Sequence, residues 1–146
     1  MAKLDGLRIA WVEDDADALY AVARALHKEG ASVEHFRTYA EAMNSLDRIG
    51  QSDVILLDLI LALGNGVEEP ARSHNEELGM VVLRELRTRK IETPVIIFSV
   101  LGDSPSIPWQ QLRNSGARSF AKVGYLQDLI SEIQETVGKS RATLPA

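Results

Sequence analysis

Residues 53–59 read DVILLDL, four large apolar side chains in a row between two aspartates. A strand with one wet face would alternate polar and apolar residues, so this short unbroken run reads as a strand covered on both faces. Leu7–Val12 and Val95–Phe98 have the same character, each bounded by polar or turn residues. Weaker strand signals lie at Ser32–Phe36 and Ser119–Lys122. Between these segments the apolar residues recur with a helical period of about 3.6. Leu19, Val22, Ala23 and Leu26 share one helical face, as do Tyr39, Ala42, Met43 and Leu46. Gly79, Val82, Leu83 and Leu86 repeat the spacing, and so do Leu126, Leu129, Ile130 and Ile133. Gly30 and Gly138 stand where helix-ending glycines belong. Pro108 suits the first position of a short helix reaching Asn114. Strand and helix thus alternate along the chain, which predicts an α/β domain with one parallel sheet and helices on both faces.

The 146 residues are 45% hydrophobic and 25% charged, which is one ordinary globular domain. That length buries enough surface to fold without a metal or disulfide staple. The chain has no cysteine, which excludes disulfide scaffolds, thiolate zinc sites, iron–sulfur clusters and a cysteine nucleophile. A net charge of −5 is the wrong sign for a protein that lives on nucleic acid or an anionic membrane. The opening MAKLDGLRIA lacks the apolar core of a signal peptide, and no apolar run approaches the ~20 residues of a membrane span. The cytoplasm is the expected address. The domain is expected to fill residues 1–138, with a polar tail over 139–146. Leu61–Glu76 is the one long irregular stretch, holding Gly64, Gly66, Pro70, Glu68, Glu69 and Glu76 but few large apolar residues. Its composition predicts a mobile segment that adds nothing to the core.

Ligands of an open parallel sheet bind beyond the carboxyl ends of the strands, near the switch in strand order. The first strand is followed by Glu13, Asp14 and Asp15, the third by Asp58; the fourth ends at Ser99 and the fifth at Lys122. Several carboxylates on one rim repel unless a cation lies among them. A hard divalent ion such as Mg²⁺ takes one or two carboxylates, keeps waters and bridges to phosphate oxygens. Ser99 and Lys122 would then face the remaining oxygens of a phosphoryl group, and an aspartate can act as the nucleophile that accepts it. Asp15 and Asp17 read instead as helix-start acids. His27, His35 and His74 are too scattered for a metal site or a catalytic triad. Gly64-Asn65-Gly66 is a turn, not a nucleotide cradle. Trp11 belongs to the core, and Trp109 to the core or to a partner contact.

In the residues VEDDADA after the first strand, DVILLDL around Asp58, TPVIIFS ending at Ser99 and GARSFAK ending at Lys122, the chain resembles the receiver domain of two-component response regulators. The resemblance runs from about Leu7 to Val137 and implies a flavodoxin-like, doubly wound sheet of five strands in the order 2-1-3-4-5. It implies that Asp58 is the phosphoacceptor, Ser99 the switch hydroxyl and Lys122 the phosphate-contacting lysine. Glu13 and Asp14, with Asp58 and the backbone carbonyl of Ile60, would bind Mg²⁺. The phosphoryl donor would be a histidine kinase or a histidine phosphotransfer protein, and the output an unidentified protein partner. The chain would be no turnover enzyme, catalysing only its own phosphorylation and slow dephosphorylation. The residues after Val137 are too few for a DNA-binding domain.

The chain departs from the family pattern at several positions. Leu61–Glu76 replaces a short loop with a proline and a glycine. Lys122 is followed by Val123, not by proline, and the aromatic residue Phe120 sits two positions before the lysine instead of three. Val100 stands where the family prefers a small residue. Ile60 and Leu101 are apolar where the family's residues influence the attacking water. These departures leave room for a receiver-like interaction module that works without phosphate. A Mg²⁺-dependent phosphatase with an Asp-x-Asp nucleophile is disfavoured, because Ile60 holds the second position.

Overall fold

Alternate residues of the central strand point to opposite sides of the sheet, and both sides are dry. In the computed structural model, which describes residues 2–15, 20–72, 76–99, 107–121 and 126–142, Val54, Ile55, Leu56 and Leu57 are each 0% exposed. They form β3 (Val54–Leu57), flanked in one parallel sheet by β1 (Arg8–Val12), β2 (Ser32–Phe36), β4 (Val95–Ser99) and β5 (Ala117–Ala121). The strand order is β2-β1-β3-β4-β5. The helices are α1 (Tyr20–Lys28), α2 (Tyr39–Met43), α3 (Leu46–Gly50), α4 (Leu78–Thr88), α5 (Trp109–Asn114) and α6 (Leu126–Ala142). Ile55, Leu57, Val95 and Ile97 pack against α2 to α5, while Val54, Leu56, Ile96 and Phe98 pack against α1 and α6. This is the two-faced burial that the apolar runs predict. Among the described residues, no helix is long and apolar enough to cross a membrane.

Three local expectations change. The pattern from Tyr39 to Leu46 is not one helix: it breaks at Asn44-Ser45 into α2 and α3, and Tyr39, Ala42, Leu46 and Ile49 are all buried in the same core cluster. Pro108 sits one position earlier than expected, as the N-cap of α5. Gly138 does not end the last helix, which continues to Ala142: Gly138 is not among the glycines with positive φ, and Lys139 pairs with Glu135 one turn back.

The largest correction concerns Leu61–Glu76. Leu61 is 7% exposed and part of the core, and Leu63 and Val67 pack against it. The segment's described residues, 61–72 and 76, are irregular, yet the carbonyls of Ala62 and Leu63 meet donors that need them. The amides of Tyr39 and Ala40, without intrahelical acceptors at the start of α2, donate to Ala62 O and Leu63 O at 2.9 Å each. Thr38 caps the same turn by accepting from Glu41 N at 3.0 Å. Further along, Arg84 of α4 pairs with Glu76 at 2.7 Å. Three spaced apolar anchors, the start of α2 and Arg84 of α4 therefore hold a stretch whose overall composition is polar. Leu19, Asp17, His74, Val100, Leu101, Lys122 and Val123 lie outside the described residues.

At the amino-terminal edge of the sheet, Arg87 of α4 gathers three backbone carbonyls. Its Nε donates to Ser115 O at 2.6 Å, and its Nη1 donates to Ile91 O at 2.6 Å and Thr93 O at 3.0 Å. Ser115 follows α5, so one guanidinium satisfies acceptors beyond the ends of two helices.

Trp11 is fully buried, with His35 of β2 and Phe98 of β4 at centroid distances of 4.8 Å and 5.9 Å. Burial, reinforced by the Arg37 cation, holds the His35 imidazole below its ordinary pKa of 6.5. The unfolded chain therefore takes up this proton more readily than the folded one. The stability contributed by neutral His35 is fully present above pH 6.5 and is lost as pH falls below it toward the lower folded value. Urea unfolding between about pH 7.5 and 5 should show this loss, and the His35→Gln variant should show a shallower one. Equal slopes in parent and variant would remove His35 as its source.

Candidate functional site

The order β2-β1-β3-β4-β5 reverses direction between β1 and β3, and the crevice beyond that pair is where an open parallel sheet binds ligands. Val12 pairs with Leu57, so Glu13 and Asp58 emerge side by side. Asp58 N donates to Val12 O at 3.0 Å, and Glu13 N to Phe36 O at 3.0 Å, which pins both backbones to neighbouring strands. Glu13 is 0% and Asp58 4% exposed. Asp14, the next residue out, is exposed.

Carboxylate oxygens of Glu13, Asp14 and Asp58 all lie within 4.8 Å of one another. Two buried carboxylates and a third at that spacing repel strongly in a low-dielectric rim. Their hard, all-oxygen donor set suits a hard divalent cation. Two backbone amides orient the acids: Ile60 N donates to Asp58 Oδ1 at 3.1 Å, and Ala62 N to Asp14 Oδ2 at 3.2 Å. Asp15 is exposed and stands outside the triad.

Ser99 is the last residue of β4 and pairs with Ala121, the last of β5, so the backbone brings it to the same end of the sheet. Lys122 follows Ala121 and lies outside the described residues. Ile60 is 42% exposed, an apolar surface directly after Asp58 and Leu59 in the chain.

One further contributor comes from α4. Gly79, in the first turn of α4, donates its amide to Leu59 O at 2.9 Å. A Cβ there would fall 2.1 Å from Asp58 O and 2.6 Å from Leu59 Cα. The helix thus rests on the backbone that carries Asp58. By sequence Gly79 is one of two glycines, with Gly66, that could follow the phosphoacceptor in the resembled family, and it is Gly79 that packs against Asp58.

The solved structures similar to this chain share this arrangement of strands. The receiver domain of the Francisella response regulator 1452 matches with a TM-score of 0.69 at 21% identity, over 92% of this chain and 99% of that one. A CheY-like response regulator receiver domain protein from Methanospirillum hungatei JF-1 matches with a TM-score of 0.72 at 20% identity, over 93% and 97%. The fold is that of a receiver domain. The BeF3-activated N-terminal receiver domain of Klebsiella pneumoniae RstA also matches, with a TM-score of 0.68 at 19% identity over 89% and 97%. No family model matches the sequence, and no curated protein matches it. The receiver fold accounts for the sheet order.

Proposed function

We propose that this receiver fold is a phosphoacceptor signalling domain of a two-component or phosphorelay system, with Asp58 the acceptor. The observation that carries the reading is the triad: Asp58 is buried at the centre of the rim, within 4.8 Å of Glu13 and Asp14. A structural aspartate would gain nothing from two more carboxylates at that distance.

The donor is a phosphohistidine of a kinase or phosphotransfer protein. A carboxylate oxygen of Asp58 forms the new bond to phosphorus, the phosphorus–nitrogen bond of the donor breaks, and the leaving imidazole takes a proton. Glu13, Asp14, Asp58 and the Ile60 carbonyl would hold Mg²⁺. Bound there, Mg²⁺ offsets the negative charge of the carboxylates and of the phosphoryl oxygens. Ile60 N fixes the Asp58 carboxylate through Oδ1, and the strand bonds of Asp58 and Glu13 remove backbone freedom before the donor arrives. Ser99 and Lys122 would contact the phosphoryl group once it is in place. The domain turns nothing over; it stores the group, working in the cytoplasm, and reports to a protein partner through its altered surface.

Incubation with Mg²⁺ and acetyl phosphate, followed by intact mass, tests the reading. The parent should gain one phosphoryl group, and the Asp58→Asn variant none. Gain by that variant would overturn the acceptor assignment. No gain in the parent, from acetyl phosphate or from a phosphohistidine protein, would point to an interaction module that works without phosphate.

Mg²⁺ binding itself should be weak, since an open rim of carboxylates and waters is no dedicated cage. Titration followed by Trp11 fluorescence in a Trp109→Phe background should show a response that is lost in Glu13→Gln and Asp14→Asn. Asp15→Ala should leave it intact. A response lost only in Asp15→Ala would place the cation elsewhere.

A further inference from the structure

The segment after Asp58 touches two things at once. Ala62 N donates to the Asp14 carboxylate at 3.2 Å, while the carbonyls of Ala62 and Leu63 accept from Tyr39 N and Ala40 N at 2.9 Å. Gly64, at φ +81°, closes the arrangement: a Cβ there would lie 2.6 Å from Thr38 Oγ1 and 3.0 Å from Ala40 Cβ. Leu61, Leu63 and Val67 hold the same stretch against the core. Asp14 is the exposed member of the carboxylate triad, and only a fixed partner keeps such a side chain in one rotamer.

We infer that residues 61–64 are a positioning element for the cation site, in which the Ala62 amide orients Asp14 and the first turn of α2 holds that amide in place. The inference rests on the metal-binding reading of Glu13, Asp14 and Asp58 given above. Peptide dipoles link the two ends: the unit that gives its N–H to Asp14 precedes the unit whose carbonyl caps Tyr39. Partners that orient a ligating carboxylate are typically worth about 10- to 100-fold in metal affinity. Coupling between two sites is reciprocal, so a cation that favours the oriented Asp14 also favours the docked segment by the same factor.

Two glycines allow a controlled test. Gly64 and Gly66 both have positive φ, +81° and +86°, but a Cβ on Gly66 meets nothing within 4 Å. Gly64→Ala strains the backbone and pushes the segment off Thr38; Gly66→Ala strains the backbone only. With folding confirmed by circular dichroism, Mg²⁺ affinity should fall about tenfold in Gly64→Ala and stay within about twofold of the parent in Gly66→Ala. Ala62→Pro, which deletes the donor itself, should reproduce the fall. Hydrogen exchange supplies a readout independent of affinity. Saturating Mg²⁺ should slow exchange of the Tyr39 and Ala40 amides in the parent, and the slowing should disappear in Ala62→Pro. If the parent binds Mg²⁺ and neither Gly64→Ala nor Ala62→Pro changes its affinity, the positioning role is wrong while the site stands. A parent with no Mg²⁺ response overturns both.

Discussion

Replacing Gly79 with alanine will destabilise the domain by about 3 kcal/mol, the upper part of the range for overpacking a well-filled interior. Helix propensity alone gives the opposite sign, since alanine inside a helix is favoured over glycine by about 1 kcal/mol. The contact decides: the added Cβ would lie 2.1 Å from Asp58 O and 2.6 Å from Leu59 Cα, and both are backbone atoms that cannot swing aside. Relief requires α4 to lift or the chain at 58–59 to shift. Lifting α4 opens the packing of Val82, Leu83 and Leu86, all essentially buried. Shifting the chain moves Asp58 relative to Glu13 and Asp14. Either way the Mg²⁺ response should weaken along with stability. Urea unfolding of Gly79→Ala checks the first part, and a variant as stable as the parent or more so would refute the contact argument.

The phosphorylated protein, on the reading of Asp58 as acceptor, will lose its phosphoryl group slowly. Hydrolysis needs a water held in line with phosphorus, and the described neighbour best placed to influence it is Ile60, apolar and 42% exposed beside Asp58. A side chain without donors or acceptors positions no water and takes no proton, and such help is typically worth about 10²–10⁴ in rate. Ile60→Asn should therefore shorten the lifetime of preformed phosphoprotein by about tenfold or more. Leu101→Glu should act in the same direction. Decay followed by intact mass is the measurement. Unchanged decay in both variants would mean that water access at these positions does not set the rate.

Much of the architecture could be read from DVILLDL and the two runs like it. An all-apolar strand has one physical explanation in a chain of this size, helices over both faces, and the structure bears that out. The acidic rim was legible for a related reason: strand ends are easy to locate, and carboxylates placed directly after them have nowhere to go but the rim. Glu13, Asp14 and Asp58 do converge. Segment 61–76 was not legible, because composition averages over the few residues that matter. Leu61, Leu63 and Val67 anchor it, and its carbonyls are claimed by α2, a pairing between chain segments some twenty residues apart that no local pattern announces. Gly138 misled for a different reason. A glycine ends a helix where it turns left-handed; Gly138 is not among the glycines with positive φ, and Lys139 pairs back to Glu135 across the position.

Arg87 gives the domain a mechanical property. Because a single planar guanidinium serves Ile91, Thr93 and Ser115 together, the far ends of α4 and α5 share one rivet. Separating those two helix ends would strand three carbonyls at once, so the contact resists sliding of α4 past α5 at the edge of the sheet opposite the acidic rim.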